Sequence, residues 1–596
     1  MKFFMKTILF SNQTFSNEPL AKQATQAIIS FHLSNGFVKS CCITAILLFS
    51  MSIRTAAQDI DNLSSQKPFQ ISGTAGLGFG TYTSSGIAAR AKGFSYLFSG
   101  NPVVSIYGIA FPLSIVVSDQ QKTFAQPFNQ YGVSPHYKWL TVHAGWRSLT
   151  FSPYTLAGYT FLGAGVEINP GRLRAAFVYG RFNKAITTDT STNTKYFSQT
   201  PSYSRKGYAA KLGFGTEENH FDFIFLKAKD DTNSIKKIPE AYNVTAAENS
   251  TFGISMKYRL FKHFFYESDA ALSIYTRDLR ADTFSTKSLS KIQILNSLMT
   301  LNASTQFLTA GQVAVGYQGK NFSLKAQYSR VDPNYQTMGA YYFETDVENY
   351  TIAPTFYMFK HKLNIGGSIG FQNDNILKDK AQQSKKTIGN VTIGFNLPKF
   401  GFNMQYSNYG IRQDRGLNPV IDTLRVARTN HFINAMLRFT LGGEKISHNF
   451  VLTGNYQALV DLNSTTAAQT QTNSKTGNLS YQLGFNNAGL DLSLIYNYTV
   501  ADAALFNTVI RGPSIGLDKQ LFKSKLSLSS YLSYQLQNNN NTTSGHFISS
   551  SFTGNYKLSK RNGINMTLNY LKSTSGDISN PAFNEFTTNL IYTYTF

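Results

Sequence analysis

The side chains of this 596-residue chain that could cut, ligate or shuttle protons are few and scattered: nine histidines, two cysteines and 32 acidic residues. No Gly-x-Ser-x-Gly elbow, His-Glu-x-x-His pair or Walker loop occurs. Outside the N-terminal segment the closest histidines are His136 and His143, seven apart. On one strand that odd spacing puts them on opposite faces, so no shared metal is expected. Cys41 and Cys42 stand at the head of an apolar stretch that reads as part of a removable leader, which leaves no thiolate site or disulfide framework downstream. Neither an enzyme nor a cofactor or metal protein is expected. The chemistry that remains belongs to charged and polar surfaces. Lys and Arg number 55 against 32 Asp and Glu, a balance of +23, yet no basic run of the kind that binds nucleic acid is present.

The composition explains where such surfaces would sit. Aromatics make 14% of the chain, as 48 Phe and 34 Tyr against 2 Trp, and charged residues only 15%. Hydrophobic residues stop at 42% and the mean hydropathy is -0.20, so apolar residues are not gathered into membrane helices. The longest apolar stretch, Cys41 to Ile53, follows Lys39 and precedes Thr55, Ala56, Ala57 and Gln58, a small-residue cleavage site. Residues 1–57 therefore read as a signal peptide with an extension from a misplaced start; Val38 would make a conventional start if encoded by an alternative initiation codon. The alternative is a genuine long leader. The cysteines lie on the wrong side of the apolar run for a lipoprotein. Removing Lys2, Lys6, Lys22, Lys39, Arg54 and Glu18 takes 55 and 32 to 50 and 31, so the mature chain keeps +19. Residues 58–68 are expected to form a short periplasmic N-terminal segment and 69–596 a single domain.

From Phe69 to Phe596 the pattern has period two. Leu490, Leu492, Leu494, Tyr496, Tyr498 and Val500 share one face, against Asp491, Ser493, Asn497 and Thr499. Phe322, Leu324, Ala326 and Tyr328 likewise oppose Ser323, Lys325 and Gln327, and Ile564, Met566, Leu568 and Tyr570 oppose Asn565, Thr567 and Asn569. The runs exceed usual soluble strands and suit a tilted membrane crossing. Tight turns near 169–171, 217–219, 359–362, 442–444, 487–488 and 558–561 alternate with long polar stretches near 183–203, 231–249, 277–304, 412–429, 462–474 and 573–583. Short turns on one side and long loops on the other build a transmembrane barrel.

The chain ends with Leu590, Tyr592, Tyr594 and Phe596 on one face. Here it resembles Gram-negative outer-membrane β-barrel proteins, whose last strand ends in Phe and is read by the barrel-assembly machinery. The resemblance is to an architecture and implies Tyr592, Tyr594 and Phe596 as an assembly signal and the cell outer membrane as the location. The fold expected is all-β: a single antiparallel transmembrane β-barrel. Counting back from Phe596 places about 21 strands between there and residue 159, and 69–82, 88–98, 103–117 and 136–145 bring the total to about 25. An even number is normal, so about 24 are expected, with 22 and 26 as neighbours.

So wide a barrel needs its lumen narrowed, and there is no room before Phe69 for an N-terminal plug domain. The segment from Asp119 to Gly158, with His136, Lys138, Trp139, Trp146 and Arg147 among three prolines, is a candidate for in-folding, the alternative being an ordinary strand and surface loop. Leu289 to Leu301 has helical spacing and would constrict the lumen, dock a partner, or pack on the rim. Lys325, Asp491, Asn497, Asn565 and Asn569 are candidate lumen-lining residues. The function expected is a channel for passive passage of small polar or anionic solutes. Its rival is a structural or secretion-associated barrel filled by loops or a lumen or periplasmic protein partner. Expected partners are outer-membrane lipid, lipopolysaccharide and the assembly machinery, and no nucleic acid.

Overall fold

The computed structural model describes residues 67–119, 130–187, 201–235, 244–283, 297–341, 343–575 and 581–596. The expected leader, 1–57, lies outside these. The alternating runs form one antiparallel sheet that closes on itself: strand Thr74–Ser85 pairs with the last strand, Phe583–Thr595, from Thr74 opposite Thr595 to Ser85 opposite Asn584. Phe596 then donates its N–H to the Gly73 carbonyl at 3.0 Å.

The sheet holds 29 strand segments, three of which continue an interrupted neighbour, and 29 less 3 leaves a closed barrel of 26 staves. Gly73, at φ 103, separates Phe69–Ser72 from Thr74–Ser85. Asn101 and Pro102 separate Phe94–Gly100 from Val103–Ile106, and Ser134 and Pro135 separate Gln130–Val133 from His136–Tyr137. Proline has no N–H for the ladder, so the pairing lapses there and resumes.

The stretch between Ala157 and Phe596 does hold 21 staves. The difference from the expected count arises upstream. The run 103–117 is two strands, because Tyr107 (φ 46) and Gly108 (φ 81) turn the chain inside it. The run 136–145 also divides: His136–Tyr137 ends one stave, Lys138 (φ 52) and Trp139 turn, and Leu140–Thr150 begins the next. Such turns carry aromatic tips and no polar cluster, so the apolar pattern runs through them unbroken.

The two faces invert the rule for soluble proteins. Leu494 is 56% exposed on the outer face, while Ser514 and Ser533, on the inner face of neighbouring strands, are only 2% and 3% exposed. Exposed Phe, Leu, Ile and Tyr facing outward, with hydrogen-bonded polar groups facing inward, is the arrangement a lipid solvent selects. Strands of up to 16 residues, such as Phe400–Arg415 and Ala427–Gly442, suffice for a tilted crossing.

The end that carries the C-terminus has short turns, among them 169–172, 359–362, 443–445 and 558–561. The opposite end has the long connections 184–203, 232–247, 277–304, 332–346, 416–426 and 462–471, together with tight turns at 504–505 and 540–541.

Candidate functional site

Two connections from the long-loop end enter the barrel and pack on its inner wall. The first, 151–156, closes on itself through the Phe151 N–H and the Leu156 carbonyl at 2.8 Å. The second, 332–346, meets it. Tyr335 donates its hydroxyl to the Tyr154 carbonyl at 2.5 Å and Thr337 donates to the Thr155 carbonyl at 3.2 Å. The Ala157 N–H reaches the Gly339 carbonyl at 2.8 Å. Tyr154 stacks on Phe343 with ring centres 6.2 Å apart, and Tyr159 on Tyr341 at 4.4 Å.

The wall beneath was built to receive them. Val178, Phe161, Phe182, Ile224 and Leu226 face inward and are buried with Leu156 and Met338 in one apolar cluster. Burying side chains of this size stabilises by roughly 1.5–3 kcal/mol each, as an upper bound. Around the cluster, polar groups hold loop backbone. Asn249, wholly buried, accepts the Met338 N–H at 3.0 Å and donates to Ser273 Oγ at 2.7 Å and to the Ile274 carbonyl at 3.0 Å. Ser273 in turn donates to the Gln336 carbonyl at 2.6 Å. A Cβ at Gly253 would stand 2.4 Å from Thr155 Cγ2, and one at Gly339 2.4 Å from Leu226 Cδ1, so both glycines are needed for the approach. These two loops form a plug that hydrogen bonds and apolar contacts hold to the wall.

Charged groups flank the plug in pairs. Arg174 grips Asp222 through two nitrogens at 2.9 and 3.0 Å, and Arg205 grips Asp230 at 2.8 and 3.1 Å. Glu267 takes Lys257 at 3.2 Å and Lys325 at 3.5 Å, two cations to one anion. Glu344, on the 332–346 loop, pairs with Lys386 of the wall strand Gln382–Asn396. Burial alone would raise Glu344, but the hydrogen bond and charge of Lys386 outweigh it and hold the carboxyl below its usual range.

From Val347 onward the inner wall is rich in Asn, Ser, Thr and Gln, with charged groups set among them, Lys386 on Glu344, Arg428 on Asp461 and Asp491 opposite Asp518, and its polar side chains bond across strands. Asn390 donates to Ser368 at 2.6 Å, Asn478 to Thr453 at 3.3 Å, Asn497 to Ser514 at 2.9 Å and Ser514 to Ser533 at 2.8 Å. A cavity of about 350 Å³ lies against Tyr82, Tyr531, Ser551, Asn569, Glu585 and Thr587.

Each residue singled out from the sequence has its place. Lys325, Asp491, Asn497, Asn565 and Asn569 are on inward faces, but spread around the wall and not gathered into one site. Lys325 is tied to Glu267. Asp491 stands opposite Gly484 and Asp518, Asn565 donates to Asn555, and Asn569 to Thr587 at 3.2 Å. Tyr592 and Tyr594 lie in the last strand, and Tyr594 meets Phe596 edge to face at 4.9 Å.

Within Asp119 to Gly158 the in-folded chain is 151–156, while the five residues chosen there belong to wall strands and their turn. His136 bonds Thr141 at 2.7 Å, Lys138 and Trp139 form the turn, Trp146 is buried, and Arg147 donates to the Val133 carbonyl at 3.4 Å. His136 and His143 share a face, contrary to expectation, because the turn at Lys138 and Trp139 puts them on adjacent staves and resets the alternation. His143 bonds Ser134 Oγ through Nδ1 and Glu167 through Nε2, both at 2.9 Å. This hydroxyl, imidazole and carboxylate chain ties three staves together where Pro135 interrupts backbone pairing. No group of three or more metal-ligating side chains occurs among the described residues.

Of Leu289 to Leu301, only residues from Ser297 are described. Met299 and Leu301 pack on Ile274 and Phe252, on the outward face, where Thr300 also donates its N–H to Glu248 at 3.2 Å. This described part lies against the outside of the barrel. The plug residues Tyr335, Thr337 and Met338 were not anticipated, although Pro333 beside Tyr335, Tyr341 and Phe343 is the same proline-aromatic signal that marked 119–158.

Closure, polar interior and apolar exterior define a transmembrane β-barrel of the outer-membrane type. No protein-family model and no curated protein matches the chain. Solved structures that match include OccAB4 of Acinetobacter baumannii, at 10% identity, 88% of this chain, 98% of that chain and a TM-score of 0.27. OccK2 (OpdF) of Pseudomonas aeruginosa in complex with glucuronate matches at 9% identity, over 88% and 98%, with a TM-score of 0.29. The translocation pore of the P pilus usher PapC matches at 11% identity, over 88% and 100%, with a TM-score of 0.32. At such scores these likenesses say nothing of site or solute.

Proposed function

We propose that the protein is a non-enzymatic outer-membrane channel that passes small polar solutes by diffusion along the part of the lumen its plug leaves. The short-turn end would face the periplasm and the long connections the exterior. The observation that carries this reading is the division of the inner wall: an apolar, loop-covered sector on the strands between Ala157 and Val331, and a sector beyond that is rich in Asn, Ser, Thr and Gln. A wall rich in mutually bonded amides and hydroxyls offers exchangeable hydrogen bonds, which suits entry and release of small polar solutes. Lys257 and Lys325 meet Glu267, and Asp269 two residues along the same face balances the second lysine, so removing Lys325 would leave a net negative charge there. The plug also favours the second reading, in which a partner or the plug itself occludes the whole lumen.

Single-channel recording of the refolded barrel in planar bilayers, with reversal potentials in a KCl gradient, separates the two. Stable steps with little ion preference are expected, larger steps when 334–341 is deleted, and a shift of the reversal potential toward cation preference in Lys325→Ala. Silence in both the native and the loop-deleted barrel would sink the channel and move the search to a partner.

A further inference from the structure

The outward face near the long-loop end carries a row of cations on adjacent strands. Arg181 stands directly opposite Lys206, and Lys206 directly opposite Lys229. Each is close to its strand's end at the same rim: Leu173–Asn183, Ser204–Gly215 and His220–Asp231. Like charges directly opposite across a sheet destabilise it unless an anion intervenes.

The molecule supplies one anion at one side only. Glu248 takes Lys229 at 3.2 Å and Lys227 at 3.5 Å and is itself buried. Asp231, further along the same face, is engaged in capping the turn that follows, through the Asn233 N–H at 3.0 Å. Among the described residues, Arg181 and Lys206 have no acidic partner, and Arg181 Nε is enclosed without a hydrogen-bond acceptor. A second outward cation pair shows the contrast: Lys385 stands opposite Arg412, and there Asp414 neutralises both at 2.8 and 3.0 Å.

The height of the row identifies the missing anion. Immediately below Arg181 and Lys206, on the same face, Tyr179 stands opposite Tyr208, with Phe177 6.2 Å from the Tyr208 ring. Aromatic rings mark the boundary between hydrocarbon and headgroups. Cations just above that boundary meet lipid phosphates, which accept charge-assisted hydrogen bonds from guanidinium and ammonium groups.

We infer that Arg181, Lys206 and Lys229 form a binding site for the phosphate of an outer-leaflet glycolipid, lipid A in chemical class. The site rests on the outer-membrane placement proposed above and is independent of conduction, since all three side chains face away from the lumen.

The test is retention of lipid A by the purified full-length barrel in detergent, read by native mass spectrometry. The probes are lipid A with its phosphates, the same lipid dephosphorylated, and inorganic phosphate. Arg181→Gln with Lys206→Gln, which leaves Lys229 on Glu248, is expected to weaken retention by about tenfold or more. Lys385→Gln with Arg412→Gln should leave it unchanged. Heat-modifiable gel mobility reports folding, and channel steps of the first double variant should match the native ones, so a failed channel and a failed lipid site are told apart. Equal retention by the Arg181 and Lys206 variant would overturn the site. So would equal binding of the dephosphorylated lipid by the native barrel, a comparison that needs no variant to fold. Tight capture of inorganic phosphate alone would reassign the row to free phosphate.

Discussion

Glu344 is where one charge ties the plug to the wall it faces. Its carboxyl lies below the ordinary range because Lys386 outweighs the effect of burial. A depressed carboxyl contributes stability above the unfolded value and loses it as pH falls through the folded one. Seating of the 332–346 loop should therefore hold at neutral pH and weaken only in the acid range below the normal glutamate pKa. Single-channel traces titrated downward should show more frequent open fluctuations there, and Glu344→Gln should show that fluctuation at neutral pH with little further change on acidification. A native trace flat with pH, or a variant still pH-dependent, would assign gating elsewhere. Residue identity was legible in the sequence as far as face: the alternation put Lys325, Asn497 and Asn569 opposite the apolar face. That Lys325 is ion-paired was not legible, because Glu267 reaches it from another strand.

At the scale of elements, the tight turns separate two ways of reversing a strand. Asn540 and Asn541, at φ 49 and 64, use the side chain that tolerates left-handed backbone. Phe359, Lys360 and His361 adopt φ 53, 56 and 66 without that help, as do Phe522, Lys523 and Ser524 at 52, 56 and 63. A non-glycine residue there costs roughly 1–2 kcal/mol. Lys360→Gly should thus raise the unfolding free energy of the barrel in urea by roughly 1 kcal/mol. An unchanged or lower midpoint would mean that lysine contributes more at the membrane surface than its backbone loses. The polar turns were visible from the sequence, but those at Tyr107 and Lys138 were not, since an aromatic at a turn tip looks the same as one on a strand face.

For the whole molecule, closure joins the first strand to the last, and Phe596 sits at that seam. It contributes one backbone hydrogen bond to Gly73 and a ring contact with Tyr594. Deleting Phe596 should alter refolded stability by only about 1 kcal/mol. If the terminal strand is an assembly signal, the same deletion should lower the barrel content of the outer membrane several-fold, measured by fractionation and immunoblot. Equal losses in both assays would make Phe596 a packing residue instead. The sequence by itself determined the class of fold and the chemistry of each face, because side-chain alternation along a strand is a local property that every residue reports. Tertiary structure alone decided which loops enter the lumen, which cations find partners and which rows remain uncompensated. Those depend on what the closed sheet brings together across strands, as when Tyr154 meets Tyr335 or Arg181 meets Lys206, and no spacing along the chain records it.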